Sequence, residues 1–174
     1  MELPNITISL WIYRVSGANP EVAVGIGTPT NVHYSFGCIG CQTTGNRVLF
    51  EANWSGGIAK WEITSGTFAT NRSYHMAVTY QRGTTSDDAN IYVNGVLEPN
   101  TNDAGSPSGT PPTTGATAVR IGADMTNFVG SWSGHIDELS IWNRTLSALE
   151  ILTIYKRGAL RLNLSARSCD DSAC

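Results

Sequence analysis

The sequence predicts an all-β domain, a two-sheet antiparallel β-sandwich closed by one short C-terminal helix. Three observations predict it. Nine short segments rich in β-branched and aromatic residues recur along the chain with turn residues between them. A single segment near the end carries helix signals, so most apolar faces have only another sheet to pack against. The 174 residues suffice to bury about 70% of the unfolded surface, so a core can form without a metal or disulfide staple.

The strands are predicted at residues 6–13, 22–27, 32–36, 47–54, 58–64, 75–81, 90–93, 118–122 and 136–142. Trp54-Ser-Gly-Gly-Ile58 reads as a hairpin whose glycines take positive φ, and Asn94-Gly95 reads as a second one. Residues 98–116 show no periodicity and read as a long exposed loop, either a mobile insertion or a rim loop touching a ligand or neighbour; their Ser, Thr and Pro content suits O-glycosylation. In the last strand Ile136, Leu139 and Ile141 need a bulge to keep one face inward.

The helix signals begin at Ser147, which with Glu150 forms a capping box. Leu149, Leu152 and Tyr155, beside Ile151 and Ile154, form the apolar stripe, and Lys156 and Arg157 suit the negative end of the dipole. Gly158 is expected as the left-handed stop. Beyond it, residues 159–165 alternate Leu160, Leu162 and Leu164 with Arg161, Asn163 and Ser165, the pattern of a strand with one apolar face. The chain is therefore divided into a sandwich domain at 1–158 and a C-terminal extension at 159–174.

Bulk charge narrows the partners. Charged residues are 14% of the chain, the net charge is -3, and no basic cluster is present, which argues against nucleic acid. No apolar run reaches the roughly 18 residues that span a bilayer, and the first residues lack the features of a targeting segment. Cys38 and Cys41 stand as C-x-x-C, and Cys169 and Cys174 as C-x-x-x-x-C. Local pairing within each couple is favoured, in an oxidising compartment; a cross-link closing about 130 residues and a four-thiolate zinc site stay open. Sequons at Asn5, Asn53, Asn71, Asn143 and Asn163 are what an Asn-, Ser- and Thr-rich chain yields by chance.

Three blocks carry a resemblance. They are ITISLWIY at 6–13, YHMAVTY with IYVNGV across 74–96, and above all GHIDELSIWNRTLSALEI at 134–151. In this order they resemble the LamG-like (laminin G-like) jellyroll domains of the concanavalin A-like lectin/glucanase superfamily. The resemblance implies a jellyroll sandwich, extracellular or cell-surface, that binds glycans or proteins without catalysis. It also implies an opening strand that this chain lacks, since residues 6–13 match the family's second. The extra strand at 159–165 is then a candidate to fill the vacancy, in its own subunit or in a neighbour by strand exchange. That defines the alternative function, a structural subunit of a surface filament or assembly.

Glucanases of the superfamily use two carboxylates spaced E-x-D-x-x-E about 5 to 5.5 Å apart. No such trio is present: Glu51 and Glu62 are alone on their strands, and strand alternation sends Asp137 and Glu138 to opposite faces. His33, His75 and His135 have no nucleophile motif around them, and the domain is expected not to be an enzyme. The resemblance places His75, Trp11 and Trp142 in structural positions, while strand faces make Trp54 and Trp61 packing residues. Sugar binding needs an exposed aromatic face and polar groups beside it. Trp132, in a Gly-Ser-Trp-Ser-Gly run without apolar companions, is the first candidate, with Tyr34 and Asn94 behind it. Calcium at the sandwich rim is implied by the resemblance at Asp137, with Asp124 as helper, although such an ion takes six or more oxygens.

Overall fold

The computed structural model describes residues 5–15, 21–28, 31–39, 47–64, 68–81, 88–102, 108–109, 118–123, 125 and 131–159. Among the described residues eleven strands precede one helix: β1 (Asn5–Arg14), β2 (Val24–Thr28), β3 (Asn31–Ile39), β4 (Val48–Trp54), β5 (Gly57–Ile63), β6 (Ser73–Gln81), β7 (Ala89–Val93), β8 (Val96–Glu98), β9 (Asn100–Asn102), β10 (Ala118–Ile121), β11 (Gly134–Trp142) and α1 (Ala148–Gly158). They form two antiparallel sheets, β11-β1-β6-β7-β8 and β10-β2-β3-β4-β5-β9. The two-layer sandwich predicted from the strand pattern is the architecture found, and each of the nine strands predicted between residues 6 and 142 is present.

Alternation builds the core. Ile6, Ile8, Leu10 and Ile12 of β1 are fully buried toward the opposite sheet, which answers with Val48, Phe50, Ala52 and Trp54 from β4. A cluster of rings sits between the layers, with Phe50 stacked on Trp61 at 5.8 Å and Tyr80 tilted against both. Trp54 and Trp61 are packing residues, as their strand faces predicted.

Of three turns or loops, one forms as expected and two differ in instructive ways. Asn94 and Gly95 both take positive φ, 51° and 79°, and close β7 onto β8 as a tight hairpin turn. The β4–β5 hairpin does not use positive φ at its glycines; Gly56 is needed because the Ser108 backbone and hydroxyl press on it. Inside the expected long loop, β9 pairs with β5, and Ser108 bonds both to Gly56 N and to Gly56 O.

Helix α1 lies on the outer face of the five-stranded sheet. Leu146 and Ile151 pack on Ala77 and Tyr92, with Trp142 and Ile154 at the margin. Its capping box is formed: Glu150 N donates to Ser147 Oγ at 3.3 Å and Ser147 N to Glu150 Oε2 at 2.8 Å. Arg144 and these Ser147 groups hold the Glu150 carboxyl down to about 2. Thr7 fixes the approach to the helix, donating to Arg144 O and accepting from Leu146 N. Gly158 is not a left-handed stop. It is the last helical residue, and it is glycine because a Cβ would collide with Trp11 Nε1 and Glu138 Oε2.

Candidate functional site

The outer face of β1 presents Thr7, Ser9, Trp11 and Tyr13 in alternation with the core residues. Under α1 this face is sealed. Trp11 stacks on Tyr155 at 5.7 Å, and His75 lies against both rings with Nε2 2.8 Å from Ser9 Oγ. Burial holds His75 down to about 4, so it is neutral at pH 7 and serves packing, as expected for it.

Past the C-terminal end of α1 the same face opens into a cleft of about 430 Å³. Its walls are Trp11 and Tyr13 from β1 and His135, Asp137 and Glu138 from β11, with Ser73 and Gly158 at the margins. Register explains the grouping. Tyr13 pairs with His135 and Trp11 with Asp137, so side chains more than a hundred residues apart in sequence stand side by side. The Tyr13 and His135 rings are 5.6 Å apart.

The bulge predicted in the last strand is what completes the cleft. Ser9 pairs with Ser140 and Trp11 with Asp137, so Leu10 faces two residues, Glu138 and Leu139. Glu138 absorbs the extra residue with φ 50°, a conformation uncommon outside glycine. Leu139 and Ile141 keep their inward packing, and Glu138 turns out beside Asp137, whose Oδ1 accepts from Glu138 N at 2.8 Å. Strand alternation had sent these two carboxylates to opposite faces; the bulge brings both to one cleft. Both are exposed.

The other sequence candidates are elsewhere. Tyr34 is 5% exposed and packed among Phe50, Trp54 and Tyr80, so its ring offers no face to a ligand. Trp132 has apolar company after all: it packs half-buried against the core and points its indole N–H at Tyr13 O, 3.4 Å away. Asn94 is a turn residue whose Oδ1 accepts from His75 N. The structure does not bring these three together. Trp11 and Trp142 lie on the outer face with the helix instead of between the sheets.

Among the described residues no three His, Cys, Asp or Glu side chains converge on a cation position, and Asp137 already accepts from Glu138 N. Asp124 lies outside the described residues, as do Cys41, Cys169, Cys174, the side chain of Cys38 and the extension beyond Ala159.

Trp11, Tyr13, His135, Asp137 and Glu138 lie within the blocks that carry the resemblance. A family model described as the Concanavalin A-like lectin/glucanases superfamily, of laminin G type, matches residues 3–152. The chain belongs to this superfamily. No curated protein sequence matches it. Among solved structures it is similar to the CBM40 module of the Ruminococcus gnavus IT-sialidase, with a TM-score of 0.66 and 16% identity over 88% of this chain and 83% of that one. It is also similar to domain 4 of AbnA, an extracellular arabinanase from Geobacillus stearothermophilus solved with arabinotriose (TM-score 0.60, 15% identity, 89% of this chain and 68% of that one). A third is the heptameric SAP-like pentraxin from Limulus polyphemus (TM-score 0.55, 16% identity, 88% and 70%). At these identities the likeness is one of fold.

Proposed function

We propose that this superfamily member is a non-catalytic glycan-recognition module, extracellular or at the cell surface, with its ligand in the cleft beyond α1. The observation that carries the reading is the side-by-side placement of Tyr13 and Trp11 with His135, Asp137, Glu138 and Ser73. Aromatic faces beside a few polar groups are what sugar recognition requires: rings for the apolar side of a pyranose, acceptors and donors for its hydroxyls. Two solved neighbours support it, since the same R. gnavus module has been solved with α2,3-sialyllactose and the AbnA domain with arabinotriose. Adjacent, exposed carboxylates also differ from the two acids that flank a glycosidic bond in hydrolases.

A glycan array with the wild-type domain and with Tyr13→Ala and His135→Ala tests the reading. His135 is exposed, so its removal should leave folding intact while weakening binding about tenfold, or 1.4 kcal/mol. Binding that survives both changes would place the ligand elsewhere, and an array with no signal would remove the glycan reading.

One observation favours the second reading, assembly by strand addition. Among the described strands β11 pairs only with β1, and its inward residues Ile136, Leu139 and Ile141 are only half-buried. Size-exclusion chromatography separates the readings, because an assembly subunit forms oligomers and a recognition module runs as a monomer.

A further inference from the structure

The cleft carries charge of one sign. Among its described lining residues there are two carboxylates, Asp137 and Glu138, and no Lys or Arg. Of the basic residues near these in sequence, Lys156 is exposed on α1 and is not among the residues lining the cleft, and three arginines are committed to other surfaces. The Arg72 guanidinium lies over the Tyr74 ring at 5.9 Å, and Arg157 lines a separate groove with Trp142, Leu149 and Ile154. Arg14 is fully buried in an ion pair with Glu21 and reaches Phe68 O.

We infer that the cleft selects uncharged saccharides and rejects sugars bearing carboxylate, sulfate or phosphate. This rests on the proposed glycan reading and names the ligand class for the same site. An anionic sugar entering here loses water and meets two like charges, with no Lys or Arg among the described lining residues to offset them. A neutral sugar presents only hydroxyls, and a carboxylate accepts an O–H in a short, charge-assisted bond. The bulge makes this possible. With Glu138 turned to the same side as Asp137, adjacent hydroxyls of one ring can each find an acceptor while the ring packs on Tyr13.

The test is an array on which neutral oligosaccharides stand beside their sialylated, sulfated and uronic-acid counterparts, probed with wild type and with Asp137→Asn/Glu138→Gln. Wild type should retain neutral glycans and bind each anionic counterpart at least tenfold more weakly, and this ratio should shrink as salt rises from 0.05 to 0.5 M, where screening shortens. The double variant should bind neutral glycans about tenfold more weakly and lose most of the discrimination. Equal binding of an anionic counterpart by wild type overturns the inference and leaves the glycan reading standing. Discrimination that persists in the double variant overturns the assignment to these two residues. A silent array removes the glycan reading and this inference with it.

Discussion

The outer face of the five-stranded sheet has two halves, built from the same strands and facing the same way. One half, around Ala77, Tyr92, His75 and Trp11, is roofed by α1; the other, around Tyr13, His135, Asp137 and Glu138, is open to water. The difference is where the helix stops. Eleven helical residues reach about 16 Å, and Gly158 ends α1 against Trp11 and Glu138 at the boundary between the halves. On the roofed side polar groups had to be neutral or bonded, which is why His75 is held low and Ser9 is turned to it. On the open side carboxylates stay hydrated at little cost, and the surface keeps its capacity to bind. A few residues of helix length thus separate a packing surface from a recognition surface.

The strongest way to break this contrast is to lift the roof. Ile151 is fully buried against Ala77 and Tyr92, so Ile151→Ala should cost about 2–5 kcal/mol, read by urea denaturation. A loss below about 1 kcal/mol would mean that α1 contributes little to the packing of that half.

Acid should attack the roofed half next. The unfolded chain protonates His75 near its ordinary 6.5, while the folded protein resists until about 4. The unfolded state therefore binds more protons in that window, and stability falls as pH drops from 6.5 towards 4, by roughly 3 kcal/mol in full. His75→Gln should flatten that slope. An unchanged slope in the variant would move the effect to other groups. Glu150, lowered from 4.5 to about 2, adds stability at neutral pH that is lost only as pH falls through that lower window.

The smallest change sharpens the boundary. Ser147→Ala removes one half of the capping box and should cost about 1 kcal/mol, with glycan binding at the open half unaltered. A parallel loss of binding would show that the cleft depends on the whole helix and not on its last turn alone.

Much of the fold was legible because local patterns and tertiary packing agree. Period-two apolar residues mark β1, β4 and β6, and Ser147 with Glu150 marks the helix start. Strand β9 was not legible, because Asn100, Thr101 and Asn102 carry no apolar signal, although they pair in register with Ile63, Glu62 and Trp61 of β5. The cleft was half legible. The spacing of Ile136, Leu139 and Ile141 demanded a bulge, yet only the register with β1 shows that the bulge falls at Glu138 and re-aims it. Tyr34 and Trp132 looked available as aromatics, but a ring's exposure depends on what packs over it from distant segments.

The sequence alone determined the layers, the helix with its cap and the need for an irregular last strand, since these follow from short-range periodicity and hydrogen-bond demands along the chain. Only the tertiary structure decided which outward-facing residues share a surface. Tyr13 and His135 meet because two strands far apart in sequence align in one register, and α1 leaves them uncovered because a glycine lets it end against Trp11. Contact across such distances is set by packing, which no local pattern records.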